Sequence, residues 1–425
     1  MPSGALKFVH SSDFHLEQPL TGVSELRDEW KDWFVDAPYH AAKKVFDVTI
    51  QEEADFLLLA GDLIDPGECA PRAYAFLLEQ FQRMHDEGIA VYWAGGNVDR
   101  PDVWPDSLRL PPSVQVFPAG RVEELTHLRD ETPIAAIFGQ SRAARGDIRV
   151  SDFDHEDSRL FGIAVASGRV DGAALGRQRI NFWALGGEHN RSTPTSSPFT
   201  VHYSGSPQGR AADEIGSHGC TVVTVEKEHT ARMRLVPTDI VRWQRERIVV
   251  PASATYTDLE RLIAERGKKM MGDAEERPQL VTWLVDGVDR WTLATKRAGV
   301  VEKLTERLRE DLARLKFPIW TVGVELVPPV EQADAWFDED SIRGDFLRAI
   351  REWQGDSNHP IDVEPMLPEK ALTDTWEVDL RIGDQVIRRE VLDEAAVLGV
   401  ELLSGDDPGP VETQRQVKAK AGRND

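Results

Sequence analysis

The chain has 425 residues, and its 73 Asp and Glu outweigh 50 Lys and Arg to give a net charge of −23. That balance argues against a globally basic nucleic-acid binder, and the length suits one large domain of roughly 200–250 residues with one or two smaller ones. No run approaches the ~20 uncharged apolar residues that span a bilayer, and no charged-then-apolar leader pattern opens the chain. No membrane association and a cytoplasmic location are therefore expected, with Cys69 and Cys220 read as reduced thiols.

The first third alternates strand and helix signals. Leu6–His10 is a short apolar run, and residues 38–54 carry apolar positions at helical spacing. Phe56–Ala60 is continuously apolar, which suits a strand buried on both faces. Arg72–Glu87 has helical period and stops at Gly88, and Ile89–Ala94 is the next strand. This rhythm predicts parallel βαβ crossovers. From about residue 113 short strands follow, at 114–117, 134–138, 160–165, 182–185, 201–203 and 220–225, which points to a second sheet packed on the first. Nine arginines stand against seven acids between residues 140 and 210, reversing the overall balance. That stretch reads either as a mixed solvated surface or as a phosphate-facing rim. A boundary is expected near 238–246, followed by a β-α-β-α-β unit with strands at 246–250, 280–285 and 320–326 and helices at 256–271 and 300–315. Residues 341–353 read as an amphipathic helix with Ile342, Phe346, Ile350 and Trp353 on one face. Residues 404–425 are polar, rich in Gly and Pro, and expected to be disordered.

Chemistry-bearing residues recur at the carboxyl ends of the early strands, where loops converge. Asp13 and His15 follow the first strand, spaced so that an extended segment would point both side chains to one side. Asp62 follows the second strand, after Gly61, whose backbone freedom permits a sharp turn. Asn97 follows the third strand, and His189 follows the strand at 182–185. Carboxylates and imidazoles converging in this way suit hard divalent cations, which polarise a phosphate ester and lower the pKa of a bound water. Singly each piece is weak, and the ordered set at successive strand ends is the signal.

The pieces Ser-Asp-Phe-His-Leu (12–16), Ala-Gly-Asp-Leu-Ile-Asp (60–65), Gly-Asn-Val-Asp (96–99), Ala-Leu-Gly-Gly-Glu-His (184–189) and Tyr-Ser-Gly-Ser-Pro (203–207) resemble those of the calcineurin-like metallophosphoesterases. Within them the chain is similar to the DNA-repair exonuclease subunits of the SbcD and YhaO type. The resemblance covers about residues 5–240 and extends loosely through 326. It implies an α/β fold, a four-layer α-β-β-α sandwich at 1–240, a smaller α+β capping domain at 241–328, and a helix-containing C-terminal extension at 329–403 before the tail at 404–425. Carried over by motif, the first metal would take Asp13, His15, Asp62 and His189. The second would take Asp62 and Asn97 with two further imidazoles. Those imidazoles, and the catalytic one, are missing: Val98, Ser167 and Gly187 stand where the family has His. Two oxygen ligands make a poor dedicated site for a transition metal, so one strong site is expected, holding Mn²⁺, or Fe²⁺ or Zn²⁺ in its place, beside a weak or vacant second one. Glu188 and His155 are weaker candidates to fill the gap. Asp65 reads as a loop-ordering residue and His10 as a group beneath the site.

Two functions compete. One is a metal-dependent phosphodiesterase acting on DNA, weakened by the missing imidazoles, because removing a positioned acid–base group costs ~10²–10⁴-fold in rate. The other is a non-catalytic, metal-retaining scaffold that binds DNA or a coiled-coil ATPase subunit. A phosphoesterase for a small substrate is a third reading. A symmetric homodimer is implied by the resemblance alone.

Overall fold

The computed structural model describes residues 5–23, 28–68, 70–105, 109–144, 148–153, 159–170, 175, 179–226, 229–251, 256–273, 277–286, 300–326 and 334–355, and scattered short pieces between 361 and 403. Cys69, His155 and the segment 404–425 lie outside the described residues. Contacts group Met1–Val285 with Leu293–Glu325 in one compact unit, and Asp286–Thr292 with Leu326–Asp425 in a second.

The first unit is built on two six-stranded mixed sheets, as the α/β reading requires. Sheet one contains β1 (Leu6–Ser11), β2 (Phe56–Leu59), β3 (Ala90–Trp93) and β4 (Val114–Val116), with β11 (Gly219–Val225) and β12 (Ala231–Pro237). Its order is β12-β11-β1-β2-β3-β4. Strands β1 to β4 run parallel, and β11 and β12 pair antiparallel at one edge. The helices α1 (Asp28–Gln51) and α2 (Pro71–Asp86) make the β1–β2 and β2–β3 crossovers. Val45, Phe46, Leu77 and Phe81 of these helices pack with Leu57, Leu59 and Trp93 on the outer face of sheet one.

Sheet two contains β5 (Glu123–Arg129), β6 (Thr132–Gln140), β7 (Phe161–Ser167), β8 (Phe182–Gly186), β9 (Ser192–Thr195) and β10 (Thr200–Tyr203), in the order β5-β6-β7-β8-β10-β9. Its inner strands β6, β7, β8 and β10 are parallel. The two sheets face one another across a shared core of Phe8, Phe56, Leu58, Ile137, Phe161, Ile163, Val165 and Phe182. On the outer face of sheet two, Trp183, Ala164 and Phe138 are covered by Val150, Phe153, Leu175 and Ile180. Among the described residues that cover includes a 3-10 turn at Val150–Asp152 and the helical Leu175.

The expected β-α-β-α-β unit is present as a three-stranded sheet in the order β13 (Arg242–Val249), β14 (Gln279–Asp286) and β15 (Ile319–Leu326), with α3 (Tyr256–Asp273) and α4 (Val300–Leu312). Trp243, Leu280 and Trp320 of this sheet pack against Leu20, Phe34 and Ala37. That contact explains a difference from expectation. Helix α1 starts ten residues before the predicted 38, and runs through Pro38. Proline has no N–H for the carbonyl four residues back, and the Phe34 carbonyl accepts the Leu20 N–H instead, at 3.4 Å. The first turns of α1 are thus held by packing and by a substitute donor. In the second unit, α5 (Asp334–Phe337) precedes α6 (Ile342–Gly355), which buries Leu347 and leaves Ile342 and Trp353 exposed. Among the described residues no helix is long and apolar enough to cross a membrane.

Two buried imidazoles lie between the sheets. His10 on β1 and His202 on β10 are fully buried, with ring centroids 5.5 Å apart. His202 bonds the Thr193 and Thr221 hydroxyls at 3.0 and 2.8 Å. Burial, aided by the Arg191 guanidinium, pushes the His202 imidazole down to about 3. Burial and then His202 hold His10 well below its ordinary value. An imidazole with a depressed folded-state pKa binds fewer protons folded than unfolded. Its stabilising effect is therefore full above 6.5 and is lost as pH falls toward the folded value. Stability in denaturant titrations should fall between pH 7 and pH 5.5 by up to ~1.4 kcal/mol per unit below the free pKa for each group. His202→Gln, which keeps hydrogen-bonding capacity, should show a shallower decline over the same interval.

Candidate metal centre

The site lies where β1, β2, β3, β7 and β8 end. Three of its residues have left-handed backbones that non-glycine residues rarely adopt: Asp13 (φ 57°), His15 (φ 41°) and Asp62 (φ 57°). Asp13 and His15 are therefore not side by side on an extended segment, as their spacing suggested. They meet because the chain past Ser11 turns and is tied to the loop after β2. Asp13 N–H donates to the Gly61 carbonyl at 2.9 Å, and His15 N–H to the Asp62 carbonyl at 3.0 Å. Gly61 has φ +87°, and a Cβ there would stand 2.6 Å from the Gly96 Cα and 2.7 Å from the Ser167 Cβ. Gly61→Ala should destabilise the fold by about 1–3 kcal/mol through overpacking and backbone strain, measured as a lowered denaturant midpoint with an unchanged slope.

The structure brings Asp13, His15 and His189 together, with one ligand atom from each within 4.8 Å of the others. Asp62 and Asn97 line the same cavity of about 280 Å³. Asp13 is 1% exposed. Its Oδ2 accepts the Ser12 hydroxyl at 2.5 Å, and Gly187 N–H lies 3.1 Å from both carboxylate oxygens. Burial pushes Asp13 up to about 7, opposed by Ser12 and reinforced by Asp62. Asp62 Oδ1 accepts Val98 N–H at 2.9 Å. His15 is 8% exposed, and neither ring nitrogen has a hydrogen-bond partner. Its Nδ1 lies 3.6 Å from Glu17 Oε1. Asn97 is exposed at the rim.

Several contributors were missed by sequence reasoning. Asp99 is buried, and its carboxylate accepts the backbone N–H groups of Asp62, Leu63 and Gly96. It thereby fixes the loops after β2 and β3 to each other. Burial and then Asp62 push it up to about 7. Its signal was in plain view, as the last residue of Gly-Asn-Val-Asp. Glu214 Oε1 lies 2.8 Å from His189 Nδ1. Because a carboxylate only accepts, Nδ1 carries the proton and Nε2 is left as the acceptor, with Arg210 Nη2 3.1 Å away. That bond is the main cause raising His189 above its ordinary value, and it helps hold Glu214 low against the opposing effect of burial. Arg210, 5% exposed, donates Nη1–H to Gln18 Oε1 at 2.7 Å and places Nη2 3.0 and 3.1 Å from the two His189 nitrogens. Glu214 and Arg210 belong to the segment after Tyr-Ser-Gly-Ser-Pro, so the motif pointed to their neighbourhood but not to their role.

Glu188 lies 3.5 Å from Arg169 Nε and accepts the Ser192 hydroxyl at 3.4 Å. Asp65 accepts Gly67 N–H at 2.7 Å and donates its own N–H to Glu17, an ordering role in its loop. Cys220 is a free buried thiol.

The donor set fits a divalent cation. Two buried carboxylates, an imidazole with no partner for either nitrogen, and a second imidazole whose tautomer a carboxylate sets are what an N/O-ligated metal requires. Glu214→Gln should lower affinity for Mn²⁺ by ~10–100-fold, the usual cost of losing a carboxylate behind a histidine ligand, as read by isothermal titration calorimetry.

Residues 6–168 match the family model of the calcineurin-like phosphoesterases. The uncharacterized metallophosphoesterase YhaO of Bacillus subtilis (strain 168) is 25% identical over 335 residues, which span 75% of this chain and 81% of that protein. A crystal structure of a dimetal phosphatase from Danio rerio matches with a TM-score of 0.37 and 10% identity, covering 56% of this chain and 97% of that one.

Proposed function

We propose that the chain is a metal-dependent phosphodiesterase acting on nucleic acid, and that it works from one tightly held cation. The observation that carries this reading is His15, a buried imidazole without a hydrogen-bond partner beside Asp13 and His189. The match over residues 6–168 supports phosphoester chemistry at these strand ends. Asp13, His15, Asp62 and His189 would hold the metal, with Mn²⁺ first and Fe²⁺ or Zn²⁺ as alternatives. When bound, it supplies a Lewis acid for the phosphoryl oxygen and a water of lowered pKa.

The remaining work falls to the chain's own groups. Ser12 and the Gly187 N–H fix the Asp13 carboxylate, Asp99 fixes the loop that carries Asp62, and Glu214 holds His189 in the tautomer that offers Nε2. Arg142 and Arg169 line the same cavity and offer positive charge to a phosphate. The second metal position retains Asp62 and Asn97 and no imidazole. Gly187, with φ +88°, has a backbone on which a restored His would be strained. Catalysis is accordingly weak, because no imidazole stands at 98, 167 or 187 to protonate the leaving oxygen.

A scaffold reading is favoured by one observation. The Arg210 guanidinium lies within hydrogen-bond reach of His189, so the acidic cluster already has a resident organic cation. In that reading the chain binds DNA or a coiled-coil ATPase subunit, as a homodimer or alone, with the exposed Ile342 and Trp353 of α6 offering an apolar contact. A metal-content measurement paired with an Mn²⁺-dependent nuclease assay separates the two. The enzyme reading expects bound metal near one equivalent and cleavage of an oligonucleotide that falls at least ~10²-fold in His15→Ala. Metal-free protein that does not cleave, before or after Mn²⁺ addition, would leave the scaffold. Faster turnover of p-nitrophenyl phosphate than of an oligonucleotide would move the assignment to a small substrate.

A further inference from the structure

Beside the metal cavity lies a second one of about 220 Å³, lined by Arg142, Arg149, Arg169, Gln140, Ser167 and Asp152 among others. Arg142, Ser167 and Arg169 line both cavities, so the two are continuous along one wall. Arg142 is anchored there by its backbone, whose N–H donates to the Gly95 carbonyl at 2.8 Å. Its Nη1 lies over Gly168, 3.2 Å from where a Cβ would stand. Three guanidinium groups and one carboxylate line it, with Glu188 3.5 Å behind Arg169, a positive balance in a chain whose overall charge is −23. Asp152 is exposed and also accepts from the neighbouring Ser151 hydroxyl.

The cavity also presents unsatisfied polar groups from its floor. The Ser167 hydroxyl is 1% exposed and has no hydrogen-bond partner, and Gln140 Oε1, on a side chain 7% exposed, has none either. Buried polar atoms are rarely left unpaired, and each one calls for an explanation. A hydroxyl donates by rotating, and an amide presents its N–H₂ by flipping. With the guanidinium groups above and these donors below, the cavity has the chemistry of a phosphate cradle. It is too small for the ~300–1,000 Å³ typical of sites that enclose whole small molecules, and suits a single tetrahedral anion.

We infer that this cavity binds the phosphate next to the scissile one, so that the substrate is a strand or dinucleotide with at least two backbone phosphates. The inference rests on the phosphodiesterase reading for its substrate, and on the arginine cavity for the site. Arg149 lines the second cavity and is absent from the lining of the first, which makes it the discriminating residue. It is exposed, so its truncation leaves the core intact.

The test uses the full chain with Mn²⁺ and two substrates, bis(p-nitrophenyl) phosphate, which has one diester and no neighbouring phosphate, and a twelve-nucleotide single strand. Arg149→Ala should raise KM for the oligonucleotide about tenfold, leave the small diester within about twofold, and be largely rescued in Arg149→Lys. In parallel, fluorescence anisotropy with the labelled oligonucleotide in EDTA reads binding without turnover. There Arg149→Ala should weaken affinity about tenfold and reduce the salt slope by about one. An equal loss on both substrates, or unchanged KM and affinity in the variant, would overturn the inference. Should neither substrate be cleaved, the phosphodiesterase reading falls, while the anisotropy comparison still decides whether this cavity holds a phosphate.

Discussion

The site depends on one buried carboxylate that is not itself a ligand. Asp99 accepts three backbone N–H groups, from Asp62, Leu63 and Gly96, and so locks the loops after β2 and β3 together. Without those acceptors the donors would be buried and unpaired, at a cost of about 1–3 kcal/mol each. The lock holds Asp62 in its left-handed conformation, and Asp62 and Gly61 in turn receive the backbone N–H groups of His15 and Asp13. A chain of hydrogen bonds to the main chain thus runs from the loop after β3 through that after β2 to that after β1, and two of the three strained residues, Asp13 and His15, belong to the converging cluster. Strain of this kind persists only where the surroundings over-determine it. Here the surroundings are identifiable bonds.

Much of the architecture was legible because central strands are continuously apolar. Phe56–Leu59 and Ala90–Trp93 are covered on both faces, and their residue types admit no other reading. In the two large sheets the strands that escaped notice were β5, β9 and β12, and all three are sheet edges. An edge strand has one partner and a partly solvated face, so its sequence is mixed, as in Glu123–Arg129 with its alternating exposure. The β5–β6 turn was hidden for a related reason. Asp130 and Glu131 both have positive φ, as a two-residue hairpin demands, yet neither is the glycine or asparagine that would announce it.

Site legibility divides along similar lines. Asp13, His15, Asp62, Asn97 and His189 each follow a strand, so local sequence placed them at one end of the sheets. Glu214 and Arg210 reach the same place from a loop before β11, and no local periodicity could say so. The spacing argument for Asp13 and His15 reached the right pairing by the wrong geometry, since a turned backbone, and not an extended one, presents them. Parity rules apply inside strands, and functional residues sit just beyond them.

The electrostatics explain why the cluster needs a cation of some kind. Burial and mutual repulsion hold Asp13 and Asp99 up near 7 with Asp62 between them, far above the ordinary carboxylate range. Isolated buried charges of like sign are costly unless paired or coordinated. Arg210 partly answers that demand: burial lowers its pKa, and Glu214, Asp13, Glu17 and Asp62 oppose that shift. The Arg210 guanidinium supplies a donor to His189, with Nη2 3.1 Å from Nε2, and reaches only one of the two imidazoles. His15, whose Nδ1 lies 3.6 Å from Glu17 Oε1 and whose nitrogens have no hydrogen-bond partner, is the residue that Arg210 leaves unsatisfied, and a divalent cation is the species that would use its lone pair and neutralise the carboxylates together. Beside this cluster the chain sets the guanidinium groups of Arg142 and Arg169, which line both its cavity and the neighbouring one, so positive charge stands along the wall that the two cavities share.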